Sequence, residues 1–575
     1  MKRYWKYIRP YIQYYILGPC FMMMEVVGDV LLPYMLAKII NQGIAERNVV
    51  YIIKIGAIMG LIAVIMAVGG VLGAWFASKA AMNFGADLRM DLFEKIQQFS
   101  FQNIDNFSTG SLITRLTNDI TQIQNMIMMT LRMCLRSPGI LIGAMVMAFV
   151  ISPKLAAIFI IVLPVLAVLI VVIMRRAFPQ FRTLQEKLDA LNSCIQEGLV
   201  GIRLIKSFVR GDYEEMRFEK RNQQLKEANL TAMKTMLLYT PLMTLALNIT
   251  TVVVVWSGGN MIVAGNMQVG DLTAFTNYIV QIMSSLTMLS IAFLNWARAI
   301  ASFRRVGEVL NEKIDLTDEN AKHKDRAVCE GSVEFQNVSF RYYKNSPEWV
   351  IENISFKLEA GKTLGIIGPT GSGKSTLVSM IPRLYDTDEG TVLVDGINVR
   401  DYGLKPLREG IGMVLQNNTL FSGSITENLK WGDEHADEKA VRKAAQNAQA
   451  AGFIDSFKDG YRTRLEQSGN NVSGGQKQRL CIARALLKCP KILILDDSTS
   501  AVDTATERAI REALHSEYKD MTKIIIAQRI RSVMDADEIL VLDNGKTAGF
   551  GTHEQLLADC PVYREIYDVQ NGREE

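Results

Sequence analysis

Charge of one sign is scarce in this chain. Lysine and arginine number 63 against 59 aspartate and glutamate, a net charge of +4 over 575 residues. No basic footprint for nucleic acid follows from so small an excess. Paired cysteines are missing too: the seven, at 20, 134, 194, 329, 481, 489 and 560, are odd in number and contain no C-x-x-C. That excludes a cysteine zinc site of the usual spacing and gives no support to a disulfide framework. Reduced thiols facing the cytosol are expected. The N-terminus has no short apolar core followed by a small-residue cleavage site, so its first apolar stretch reads as an anchor and not as a removed signal.

Long uncharged runs, by contrast, are plentiful. Apolar residues make up 49% of the chain, and the excess lies before about residue 300. Ile55–Ser78, Leu155–Met174, Thr235–Gly270 and Leu272–Ala297 carry no charge. A helix needs about 20 such residues to cross a hydrocarbon core of about 30 Å. Two less clean runs, roughly Tyr11–Ile40 and Met133–Ser152, bring the expected spans to six. The N-terminus carries Lys2, Arg3, Lys6 and Arg9, and long charged segments (83–127 and 175–234) alternate with short connections. The basic-residue bias then predicts both termini in the cytosol. Both long segments place apolar residues at spacings of three to four, so they are expected to continue the spans as helices. Turns around 104–110 and 208–213 would close two helical hairpins.

The texture changes after residue 313. Residues 314–331 are polar and read as a linker, and residues 332–575 alternate strand and helix patterns; residues 1–313 form the membrane part. The stretch TLGIIGPTGSGKST, Thr363 to Thr376, follows a short apolar strand and opens a helix, the context that confirms a P-loop. Its residues Gly368, Pro369, Thr370, Gly371, Ser372, Gly373, Lys374, Ser375 and Thr376 would wrap backbone N–H groups around phosphate oxygens. Lys374 would reach the β- and γ-phosphates, and Ser375 would ligate Mg²⁺. The apolar run ILILD ends at Asp496, the expected second Mg²⁺ anchor. A second glycine-rich helix start, VSGGQ from Val472 to Gln476, supplies another phosphate cradle, one more than a single nucleotide needs.

Val472–Gln476 resembles the LSGGQ signature of ATP-binding cassette (ABC) proteins, with valine for the first leucine. Six spans followed by one cassette resemble an ABC exporter half-transporter, and the resemblance covers nearly the whole chain. It implies a six-helix membrane domain of type I exporter form followed by a cytosolic α/β P-loop domain, lying in the cytoplasmic membrane. It also implies a dimer with two ATPs at the interface, each between the P-loop of one chain and the Ser473, Gly474, Gly475 and Gln476 signature of the other. By the same resemblance Tyr342 stacks on adenine, Gln416 is the Q-loop glutamine near Mg²⁺, and Ser500 to Asp503 form the D-loop. The turns near 104–110 and 208–213 resemble coupling helices.

Three positions depart from the family pattern. Asp497 stands where a glutamate usually polarises the attacking water, Gln528 where a histidine is usual, and Gln467 where a glutamate is usual. These changes leave open tolerated drift, or a site that binds Mg-ATP tightly and hydrolyses it slowly. The second is expected, because two catalytic positions depart together while Gly368, Lys374, Ser375 and Asp496 are kept. The chain then resembles the degenerate-site half of heterodimeric bacterial multidrug exporters, with a second, non-identical half-transporter as partner and small amphipathic compounds as cargo. A lipid or peptide exporter, or a nucleotide-gated regulator that transports nothing, are the alternatives. The chain shows no N-terminal peptidase extension, which weighs against peptide processing. Of 28 methionines, 24 precede residue 300, and a few facing a cavity would suit varied apolar ligands. Glu25 and Asp29 lie four apart in the first span, and Arg132 and Arg136 four apart at the start of the third. Structural pairing between them and recognition of a cationic compound are both open.

Overall fold

The computed structural model describes residues 2–344 and 346–571. The chain divides into two compact units, one of Met1–Gln97 with Gly110–Asn311, the other of Gln98–Thr109 with Glu312–Glu575. The second unit therefore takes in a short piece of chain that interrupts the first.

Among its described residues the first unit has helices as its only regular elements. Among the described residues five helical stretches are long and apolar enough to cross a membrane: Trp5–Ile44, Val49–Gln97, Thr109–Ile151, Pro153–Val200 and Gly211–Val263. The sixth expected run lies in the helix Val269–Asn311, where some side chains lie outside the described residues. The Val49–Gln97 helix has 49 residues, about 73 Å at 1.5 Å per residue, more than twice a hydrocarbon core. Helices thus run beyond the apolar spans, as the mixed texture of 83–127 and 175–234 predicts. The expected turns fall at Asn106–Ser108 and Phe208–Arg210, between helices ending at Asp105 and Ser207 and those starting at Thr109 and Gly211. A Ser-Pro pair starts the Pro153–Val200 helix: Ser152 Oγ accepts from the Leu155 amide, and Pro153 occupies the first turn, where its missing N–H costs nothing.

Small residues let the first two long helices approach closely. A Cβ on Gly73 would lie 2.5 Å from Met22 Cε and 3.1 Å from the Gly18 carbonyl oxygen, close packing of the kind that holds helices together where lipid removes the hydrophobic drive. Phe159 and Phe275 stack at 5.5 Å in the core, where Tyr278 is fully buried and donates to the Val30 carbonyl at 2.7 Å. Further along, fully buried Asp119 accepts from Arg305 Nε at 2.8 Å and from Ser302 Oγ at 2.9 Å.

Among its described residues the second unit carries three sheets, built from β1 (Val333–Phe340), β2 (Ile351–Leu358), β3 (Thr363–Ile367), β4 (Glu389–Val394), β5 (Ile397–Asn398), β6 (Ile411–Val414), β7 (Gly423–Ser424), β8 (Arg464–Leu465), β9 (Ile492–Asp496), β10 (Thr522–Ile526), β11 (Glu538–Asp543) and β12 (Lys546–Gly551). An antiparallel sheet runs β2-β1-β4-β5, the main sheet runs β12-β11-β3-β10-β9-β6, and β7 pairs with β8. In the main sheet β11, β3, β10, β9 and β6 are parallel and β12 closes one edge antiparallel. Buried on both faces, β3 and β9 read as continuous apolar runs without alternation.

Candidate functional site

A ligand crevice in a parallel sheet lies beyond the carboxyl ends of its strands. Here the four neighbours β3, β10, β9 and β6 deliver, in spatial order, the P-loop, Gln528, Asp496 with Asp497, and Gln416. Register sets the alignment: Ile526 pairs with Ile366 and with Asp496, and Val414 with Leu495.

The P-loop conformation is dictated by its glycines. Gly371 and Gly373 have φ of 86° and 89°, left-handed values that disfavour any side chain. A Cβ on Gly368 would sit 2.0 Å from the Leu542 carbonyl oxygen. The helix Lys374–Ser379 starts directly after Gly373, so its free N–H groups face the loop. Lys374 Nζ donates to the carbonyls of Gly368 at 2.8 Å and Pro369 at 2.7 Å. Burial lowers the Lys374 ammonium pKa, and the two aspartates oppose that shift. Buried Thr376 shares a 2.8 Å hydrogen bond with the Tyr342 hydroxyl, which sets the Tyr342 ring beside the loop.

Ser375 Oγ donates to Asp496 Oδ1 at 2.9 Å. Burial, and the charge of Asp497 next to it, push the Asp496 carboxyl above the usual range. Asp497 is likewise raised by burial, a shift opposed by hydrogen bonds from Gln528 and Gln416 and by the charge of Lys374. Gln528 Nε2 donates to Asp497 Oδ2 at 2.9 Å. Two adjacent carboxylates disfavoured by burial, with a hydroxyl oxygen in contact, form a hard oxygen donor set of the kind a magnesium ion takes. The residues present therefore fit Mg²⁺, which Ser375 and Asp496 would hold with Gln416 close by.

A second constellation stands at the start of the helix Gly474–Leu487. Ser473 caps it, its Oγ accepting from the Gln476 amide while Gln476 Oε1 accepts from the Ser473 amide. Buried Gln478 then grips the turn that follows Asp497: its Oε1 accepts from the Ala501 amide at 3.0 Å, and its Nε2 donates to Ser500 Oγ at 3.3 Å. A Cβ on Gly475 would meet the Ala501 carbonyl oxygen at 2.7 Å, so glycine is required for the two segments to touch. Asp503 ends that turn, accepting from the Thr506 amide at 2.9 Å as the cap of the helix Thr504–Glu517. Gln467, the third departing position, is exposed in a 3₁₀ turn, Gln467–Gly469.

In the membrane unit Arg136 Nη2 lies 2.8 Å from Glu25 Oε1 and 3.5 Å from Asp29 Oδ2. The structure thus brings three of the four singled-out ionisable residues together; Arg132 is exposed and takes no part in that cluster. Gln478 and Glu507, the latter a buried carboxylate behind the Ser500–Asp503 turn, carried no signal in the sequence beyond polar residues at helix positions.

Long apolar helices joined to a P-loop sheet with a signature-type helix start define a membrane-spanning nucleotide-binding protein. The family described as "ABC transporter transmembrane region" matches residues 15–286, and that described as "ABC transporter" matches residues 351–500. The "Uncharacterized ABC transporter ATP-binding protein YfiB" of Bacillus subtilis is 39% identical over 574 residues, covering 100% of this chain and 99% of its own. The "Putative multidrug export ATP-binding/permease protein YgaD" of the same organism is 33% identical over 584 residues, covering 99% of each. A solved structure described as a bacterial Atm1-family ABC exporter with ATP bound superposes with a TM-score of 0.81 at 24% identity, covering 98% of each chain. The chain belongs to the ABC transporter family. It has the type I exporter fold, an N-terminal helical membrane domain followed by an α/β ATPase domain.

Proposed function

We propose that the chain is one half of a heterodimeric ABC exporter whose two ATP sites are unequal, and that its own site binds Mg-ATP but hydrolyses it slowly. The observation that carries this reading is the 2.9 Å hydrogen bond from Gln528 to Asp497. In the family a glutamate polarises the attacking water and a histidine faces the γ-phosphate. Here a shorter carboxylate is held by a neutral amide, which has no full positive charge to offer developing negative charge. Binding has no such defect. The P-loop glycines, Lys374 and Thr376 would hold phosphate, Tyr342 would stack on adenine, and Ser375, Asp496 and Gln416 would hold Mg²⁺. A Mg²⁺ ion held there would neutralise phosphate charge, while the protein's own residues would position the nucleotide.

Ser473, Gly474, Gly475, Gln476 and Asp503 are then read as the face this chain offers to the partner's ATP. Both helix starts are capped, by Ser473 with Gln476 and by Asp503, so a partner that brings its own glutamate and histidine would turn over at that face. The basic N-terminus supports a cytosolic cassette and cytosolic termini in the inner membrane. Amphipathic compounds are the proposed cargo, consistent with the name given to the YgaD relative. In the membrane unit, Glu25 and Asp29 set against the Arg136 guanidinium favour structural pairing of the helices, with recognition of a cationic compound as the second reading.

The test is purification of the tagged chain from its native membrane. A second, different half-transporter should accompany it, and dye transport by the reconstituted pair should require both chains. Recovery of this polypeptide alone, transporting on its own, contradicts the reading.

A further inference from the structure

One buried carboxylate belongs to neither constellation yet touches the loops leading from both. Glu507, 5% exposed, sits in the first turn of the helix Thr504–Glu517. Its Oε1 accepts from Ser532 Oγ at 2.5 Å and from Thr499 Oγ1 at 3.2 Å. Thr499 lies two residues after Asp497 and opens the turn that Gln478 fixes against the signature helix. Ser532 lies four residues after Gln528, in the 3₁₀ turn Ile530–Ser532. The two loops leave the neighbouring parallel strands β9 and β10, and this oxygen ties them a second time, besides the 2.9 Å hydrogen bond from Gln528 to Asp497.

Other contacts make the join stiff. One turn along the same helix, Arg511 Nη1 donates to the Arg531 carbonyl at 2.6 Å. From the other side Gln570 accepts from the Ile530 amide at 2.8 Å and donates to the Gln528 carbonyl at 2.8 Å. The backbone at Gln528 is therefore held on one side by Gln570, in the helix Pro561–Asn571, and tied, through Ser532 and Glu507, to Thr499 on the other. Asp503 caps the helix that carries Glu507, so the Thr499–Asp503 turn and Glu507 form one piece. Leaving a carboxylate this buried short of a hydroxyl donor costs free energy. Moving one loop without the other leaves it short of a partner, so the low-cost motion is a joint one.

We infer that Glu507 is a positioning residue that makes the Gln528 segment and the Thr499–Asp503 turn move together, so that nucleotide held at this chain's slow site sets the turn presented to the partner's site. The inference rests on the reading of unequal sites given above. It assigns Glu507 no contact with nucleotide.

The experiment uses the complex that purifies from native membranes through a tag on this chain. ATPase kcat and KM are measured for the unmodified complex and for Glu507→Gln, Glu507→Ala, Thr499→Val, Ser532→Ala and the Glu507→Ala/Ser532→Ala double variant. Glu507→Ala should lower kcat about tenfold with KM changed less than about twofold. Glu507→Gln, which keeps an acceptor oxygen, should recover part of that loss. Adding Ser532→Ala to Glu507→Ala should cost little more, because both cut one link. Unchanged kcat in Glu507→Ala, or losses that simply multiply in the double variant, would overturn the inference. If Glu507→Ala does not fold, Thr499→Val and Ser532→Ala, which keep the carboxylate, must each lower kcat at constant KM, and failure of both to do so is equally decisive. The composition of the purified complex is scored separately. A homodimer of this chain with vigorous turnover sinks the reading of unequal sites, whereas a normal kcat in the Glu507 variants of a heterodimer sinks only the linkage.

Discussion

Replacing Asp497 with glutamate and Gln528 with histidine together should raise the intrinsic hydrolysis rate of this chain's own site by about 10²-fold or more. Two effects contribute. One added methylene advances the carboxylate by roughly 1.3 Å, given carbon–carbon bonds of about 1.5 Å, and a misplacement of that order costs about 10²-fold in rate. Removing the Gln528 amide frees a carboxylate that now accepts a hydrogen bond at 2.9 Å. A bond to a charged acceptor is worth about 1.5–3 kcal/mol, or about 10- to 10²-fold in rate if it must break before water can be engaged. Asp497→Glu alone should gain less. Gln528 still holds the carboxylate. The assay is single-turnover hydrolysis of radiolabelled ATP by the purified chain in lipid nanodiscs, with ATP affinity measured in parallel. A double variant that binds ATP as tightly as the wild type and hydrolyses it no faster would refute the reasoning.

Gly368→Ala should abolish ATP binding and lower the melting temperature, because its Cβ would fall 2.0 Å from the Leu542 carbonyl oxygen; calorimetry and a fluorescent ATP analogue check both. Asp496 and Asp497 both have raised carboxyl pKa values. Between the unfolded value near 3.9 and the raised folded value, the folded chain then holds more protons than the unfolded one. What these two groups contribute to stability is present below that window and lost as pH rises through it. Asp496→Asn should therefore raise the melting temperature of the nucleotide-free chain at neutral pH and erase the extra stabilisation that Mg²⁺ adds to ATP. A higher melting temperature that still responds to Mg²⁺ would count against Asp496 as a donor. Arg136→Met leaves Glu25 and Asp29 unpaired and should cost about 3–5 kcal/mol, read as lost folded protein in detergent melts, while Arg136→Met with Glu25→Gln and Asp29→Asn should recover most of it.

Much of the fold was legible because each level of the sequence carries its own period. Uncharged runs of 20 residues or more mark spans, and the 3–4 spacing of 83–127 and 175–234 marks their helical continuations. TLGII and ILILD, apolar without alternation, mark β3 and β9 as strands covered on both faces. The P-loop is legible because its glycines answer to backbone geometry: Gly371 and Gly373 are left-handed, and Gly368 faces a carbonyl. Convergence was harder to see. Asp496, Gln528 and Gln416 meet because β9, β10 and β6 are neighbours, an order that the linear sequence does not contain. Glu507 and Gln570 were invisible for the same reason, each being an ordinary polar residue on an amphipathic helix until its tertiary partner is known. Spacing alone leaves open whether Arg136 pairs with Glu25 and Asp29 or lines a cargo site, and helix packing decides that it pairs with both.

The most direct measurement is steady-state ATPase activity of this chain purified by itself, free of any other half-transporter, in parallel with its ATP affinity. Tight Mg-dependent binding with turnover at most about one-hundredth of that of the native-membrane complex is the predicted result. Turnover equal to that of the complex, from this polypeptide alone, would contradict it.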